Sequence, residues 1–168
     1  DRRERPVSFG ARLLTDGEPK YLNGPETPLY TKGSLLYGYR PAARAARDLD
    51  MVILVEGYFD HARLWSAGFQ STVATCGTAL TPAQARQLGS VSSDIFVCYD
   101  SDRAGNRAAV RAAEILLGEG RPVAPLHRRV IEDRAQRPGG LALPFRHGQN
   151  TGPHNFGGKG TGVDDQAQ

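Results

Sequence analysis

Two apolar runs that end in acid constrain this chain more than any other feature. Met51-Val52-Ile53-Leu54-Val55 leads straight into Glu56-Gly57, and Ile95-Phe96-Val97-Cys98-Tyr99 into Asp100-Ser101-Asp102. Each run has the length and the β-branched or aromatic content of a buried strand. Ligands of parallel α/β sheets sit at the carboxyl ends of the strands. Three carboxylates brought to that edge would suit a hard cation, most naturally Mg2+.

The segments between the runs support a parallel sheet. A helix is predicted from about Phe59 to Ala67, stopped by Gly68, followed by a strand over Ser71–Thr75. Thr81-Pro82-Ala83-Gln84 opens the next helix, with threonine as N-cap, proline at N1 and glutamine at N3. The strand at Asp94–Tyr99 leads into an alanine-rich helix from about Ala104 to Leu117, which Gly118 and Gly120 end. A fourth strand is expected near Pro122–Leu126. Strands alternating with helices mean βαβ units, a parallel sheet and helices on both faces. Ahead of this unit, Val7-Ser8-Phe9 and Ala11 to Leu14 suggest two short strands, with Asp16-Gly17 as a turn. Residues 127–168 show no sustained period and are dense in glycine from Gly139 onward; disorder is expected there.

Composition narrows the setting. The 168 residues suffice for one domain and part of another, and 39% hydrophobic content allows a core. A net charge of +3 permits a nucleic-acid partner without requiring one. Cys76 and Cys98 form no CxxC pair, so neither a disulfide nor zinc is expected, and a cytoplasmic setting fits. No stretch has membrane-spanning length and no secretory signal opens the chain. The start at Asp1 reads as that of a fragment.

Each acidic residue has a structural role to set beside the chemical one. Glu56 alone is as readily a surface carboxylate at a strand end. Asp102 stands where it would N-cap the alanine-rich helix, a role compatible with metal binding. Asp60 would lie in the first turn of the helix after Glu56, as a favourable charge or as a further ligand. His61 and Trp65, four apart, read as a packing face.

With these residues in place a resemblance emerges. Val55-Glu56-Gly57-Tyr58-Phe59-Asp60 and Tyr99-Asp100-Ser101-Asp102-Arg103-Ala104-Gly105 resemble the two signature segments of the Toprim domain. That fold is shared by primases, topoisomerases and some nucleases. Pro19-Lys20-Tyr21-Leu22-Asn23-Gly24-Pro25-Glu26-Thr27, Lys32-Gly33 with Leu36-Tyr37-Gly38, and Thr75 to Thr81 resemble further signatures of the bacterial-type replicative DNA primase. The resemblance covers roughly residues 5 to 125. It implies part of a small α+β subdomain of the primase core over 1–48, a Toprim domain over 49–126, and an unrelated tail over 127–168.

The resemblance also implies the chemistry. Short RNA primers would be made on single-stranded DNA from ribonucleoside triphosphates. Glu56, Asp100 and Asp102 would be catalytic and would hold Mg2+, with Asp60 a further ligand and Mn2+ an alternative ion. Lys20, Asn23, Lys32 and Arg103 would contact nucleotide or template; a solvated lysine is the ordinary alternative for the first. Arg107 could hold phosphate, while Tyr21 and Tyr30 are expected to pack under loops rather than stack bases. Gly77-Thr78 is expected to form a simple loop. A replicative helicase partners the full-length family, but its binding region is absent.

The sequence departs from the family in three places. There is no Cys/His zinc ribbon, the early part of the polymerase core is missing, and no segment like Gly-Glu-Asp-Pro-Asp follows the last strand. A shifted reading frame would produce that last loss, and the same acidic segment in another frame of the source locus would reveal it. The fragment is therefore expected to be weak or inactive alone. Rival readings are a Toprim nuclease or topoisomerase fragment, and a non-catalytic Toprim module that binds nucleic acid.

Overall fold

The computed structural model describes residues 1–19 and 21–125. The expected disorder of 127–168 lies outside these residues. A two-stranded antiparallel sheet pairs β1 (Gly10–Arg12) with β2 (Tyr21–Asn23). One turn of 3-10 helix at Lys32–Ser34 and the helix α1 (Tyr39–Leu49) follow. Then come β3 (Val52–Val55), α2 (Tyr58–Ser66), β4 (Thr72–Ala74), α3 (Pro82–Gly89), β5 (Ile95–Val97), α4 (Arg103–Gly118) and β6 (Val123–Pro125).

The last four strands form one parallel sheet in the order β4-β3-β5-β6. All of β3 is buried, and its side chains alternate between two cores, as the two-residue period of a strand requires. Val52 and Leu54 join Ala85 and Leu88 of α3 and Ala112 and Leu116 of α4. Ile53 and Val55 join Phe96 on the opposite face, where Tyr58 and Leu64 of α2 pack against them. Helices therefore cover both faces, as the alternating pattern predicts.

α3 begins as its sequence dictates. The Thr81 hydroxyl accepts from the Gln84 N–H and the Gln84 side chain accepts from the Thr81 N–H, closing a capping box ahead of Pro82. Gln84 is also fully buried. Its amide donates to the Lys32 and Leu35 carbonyls at 3.1 and 2.7 Å, and Gln87 donates to the Ser34 carbonyl at 2.6 Å. Two helical glutamines thus fasten the Lys32 turn to the sheet domain.

The first 49 residues differ from expectation. Residues 7–9 form no strand, and the one begun at Ala11 is shifted to Gly10–Arg12, with Tyr21–Asn23 as partner. Phe9 and Leu14 are 87% and 88% exposed, so these apolar runs have no core to set their register. Asp16-Gly17 does fall in the connection between the strands. The sequence pattern predicts no helix where α1 forms. Its buried residues are Ala42, Ala46 and Leu49, a stripe too small in apolar bulk to stand out, and Pro41 sits in the first turn, where it is tolerated.

Candidate metal and nucleotide site

The sheet has one topological switch point, between β3 and β5. From β3 the chain crosses by α2 to β4 on one side, then by α3 to β5 on the other. The crevice beyond these two strands is where an α/β sheet holds its ligand. Glu56 follows β3 directly, and Asp100 and Asp102 lie in the loop after β5. Asp60 lies in the first turn of α2.

Glu56 is the least comfortable of the four. Its Oε1 is buried with no hydrogen-bond partner. Burial raises its pKa, and the charges of Asp100, Asp60 and Asp102 raise it further, while the Asp100 backbone N–H partly offsets them. Among the described residues, no three His, Cys, Asp or Glu side chains converge closely enough to hold a metal as they stand. Asp100, Asp60 and Asp102 all act on Glu56 through their charge, without closing on a common point. A buried carboxylate oxygen without a donor, facing three further carboxylates, is donor chemistry that fits a hard cation.

Local structure fixes these positions. The Asp102 side chain accepts from the Gly105 N–H at 2.7 Å, capping α4 as expected. Asn106 donates to the Ser101 carbonyl at 2.8 Å. Gly105 is required: a Cβ there would lie 2.2 Å from the Asp100 carbonyl oxygen. Behind Glu56 runs a closed set of bonds. The Cys76 N–H donates to the Glu56 carbonyl at 2.9 Å, Asn23 donates to the Cys76 carbonyl at 3.2 Å, and the Tyr58 hydroxyl donates to the Asn23 side-chain oxygen at 2.9 Å. Cys76 holds a left-handed backbone with φ of 53°. Its buried thiol is pushed up to about 12, so neither it nor the free Cys98, also raised by burial, is poised as a nucleophile.

The basic and polar residues singled out above fall in different places. Lys20 lies outside the described residues. Asn23 spends its amide on Cys76 and Tyr58, which makes it a brace for the Glu56 loop. Lys32 lines a cavity of about 360 Å³ that also reaches Tyr58, Thr75 and Cys76, but none of the four carboxylates. Arg103 opens α4 beside Asp102 and is exposed. Tyr21 packs under Arg12, which lies between Tyr21 and Phe59 at 5.3 and 4.7 Å from their ring centres. Tyr30 is half-buried among loops, and Gly77-Thr78 forms a turn closed by the Thr78 hydroxyl on the Thr75 carbonyl. His61 stacks on Trp65 at 5.7 Å and meets Tyr37 edge-on at 4.8 Å, the packing face expected of it. The bracing roles of Tyr58 and Cys76 had no local signal, because their partner Asn23 is 35 and 53 residues away.

Two family models match this chain. One describes the N-terminal domain of the DNA primase catalytic core and covers residues 1–43; the other is Toprim-like and covers 53–134, past the boundary expected at 126. A DNA primase of Halalkalibacterium halodurans is 46% identical over 114 residues, 68% of this chain and 19% of that protein. The chain belongs to the bacterial-type DNA primase family. It spans about a fifth of the length of the curated primases it matches. Among solved structures, the zinc-binding and RNA polymerase domains of the Aquifex aeolicus primase superpose with a TM-score of 0.71 at 39% identity, covering 76% of this chain and 32% of that one. A primase catalytic domain bound to single-stranded DNA gives 0.67 at 37% identity, covering 75% and 41%. The small antiparallel sheet and the parallel sheet thus correspond to the primase core and its Toprim fold.

Proposed function

We propose that this chain carries the Toprim carboxylates and part of the nucleotide-binding core of an enzyme that makes RNA primers on single-stranded DNA. The observation that carries this reading is the partnerless buried oxygen of Glu56, facing Asp100, Asp60 and Asp102 at the switch point of a primase-type sheet. Glu56, Asp100 and Asp102 would hold Mg2+, or Mn2+ in its place, and Asp60 would complete its charge. The ion would supply electrostatic stabilisation to an in-line displacement at phosphorus. The protein's part is positioning. The Cys76–Asn23–Tyr58 bonds hold the Glu56 backbone, and the Asp102 cap and Gly105 hold the second acidic loop. Lys32, fixed by Gln84 and Gln87 through its own turn, and Lys20 would meet triphosphate oxygens. Arg103 would meet template or nucleotide phosphate at the start of α4.

Residues 1–48 serve here as the piece of the core that braces the Toprim unit of 49–126. Such a protein works beside the replicative helicase in the cytoplasm. Among the described residues no helix is long and apolar enough to cross a membrane. A gel assay with single-stranded DNA, labelled ribonucleoside triphosphates and Mg2+ separates this reading from a Toprim nuclease. Weak ribonucleotide incorporation that Asp100→Asn abolishes supports it. Cleavage of the DNA without incorporation contradicts it.

A further inference from the structure

Helix α4 carries a row of cations that nothing in the fold accounts for. Its buried residues are Gly105, Ala112 and Leu116. The opposite face presents Arg103, Arg107 and Arg111 at successive four-residue steps, with Asn106, Val110 and Glu114 beside them. Together they line an open shallow groove of about 610 Å³. All three arginines are exposed, and none is ion-paired to a described residue. Like charges at this spacing disfavour a helix, and cations in its N-terminal half oppose the backbone dipole. An arrangement that costs the helix stability calls for an external anion.

We infer that this face of α4 is a track for single-stranded nucleic acid leading away from the acidic loop, with phosphates on Arg103, Arg107 and Arg111. The row starts one residue beyond Asp102 and runs for about 12 Å at the helical rise, with one arginine at about every 6 Å for successive phosphates of a strand. Val110, 59% exposed between the arginines, gives an unpaired base an apolar surface to lie on. A duplex, which keeps its bases stacked inside, would leave Val110 unused. Glu114 ends the track. The inference rests on the template reading above and adds the surface that does the holding.

The test measures binding of a labelled single-stranded oligonucleotide to the full chain across a salt series, with EDTA present so that no divalent cation bridges the carboxylates to the strand. Arg107→Ala/Arg111→Ala removes two exposed side chains, and far-UV circular dichroism checks that α4 persists. The double variant should bind about tenfold more weakly at moderate salt, with the slope of log affinity against log salt reduced by roughly 1.4. Arg107→Lys/Arg111→Lys should recover most of the slope. An unchanged slope and affinity in the alanine variant overturns the track while leaving the primase reading intact. So does a loss confined to a duplex competitor. Absence of salt-sensitive binding by the unaltered chain likewise overturns the track.

Discussion

At the scale of single residues, Glu56 carries the electrostatic cost of the acidic edge. Its raised pKa means that the folded state holds the Glu56 proton more tightly than the unfolded chain does. Folding is therefore favoured by protonation and loses stability as pH rises from 4.5 through the folded value. Without divalent cation, Glu56→Gln should unfold at a higher temperature than the unaltered protein near neutral pH. The gap should close as pH falls toward 4.5; thermal melts across that range measure it. Asp102 has two roles that substitution separates. Asp102→Asn keeps an N-cap and should melt within about 0.5 kcal/mol of wild type, whereas Asp102→Ala should lose about 1 kcal/mol. Both should weaken Mg2+ binding if the carboxylate is a ligand, as calorimetry would read. The sequence marked Asp102 for both roles, because an acid just before an alanine-rich helix is a local signal. Asn23, which the resemblance implies contacts nucleotide or template, also bonds inside the fold, and no local pattern announces a partner 53 residues away.

Among the elements, legibility followed the source of each element's stability. β3 and α3 were readable because β-branched residues buried on both faces and a capping box are written in a few adjacent positions. β1 is offset from the strand expected at Ala11 to Leu14 and β2 has no predicted counterpart, because the exposed apolar residues there meet no core and the pair is held by tertiary contacts of Asn23 and Arg12. α1 was missed because its buried face is mostly alanine, yet it packs on β3 and β4. The joint between α4 and the acidic loop shows how an element sets the site. Gly105→Ala would push a methyl group into the Asp100 carbonyl. It should destabilise the protein by roughly 1–3 kcal/mol. It should also weaken Mg2+ binding more than its loss of stability explains, because Asp100 moves with the loop. Thermal melts paired with calorimetry would show both effects.

At the scale of the molecule, a small antiparallel sheet is tied to a parallel sheet through three sets of bonds. Asn23 reaches Cys76 and Tyr58, Gln84 and Gln87 hold the Lys32–Ser34 turn, and Tyr37 bridges Ala74 in an antiparallel pair. These ties bring residues 21–27 and the acidic loops into one body, which the order of the motifs alone could not establish. The proposed function requires Glu56 and Asp100 to share a divalent cation at the β3–β5 switch point. Calorimetric titration of Mg2+ into the unaltered chain, Glu56→Gln and Asp100→Asn at neutral pH tests it most directly. Weak, saturable binding is expected in the first and none in either variant; the same isotherm in all three would contradict the shared site.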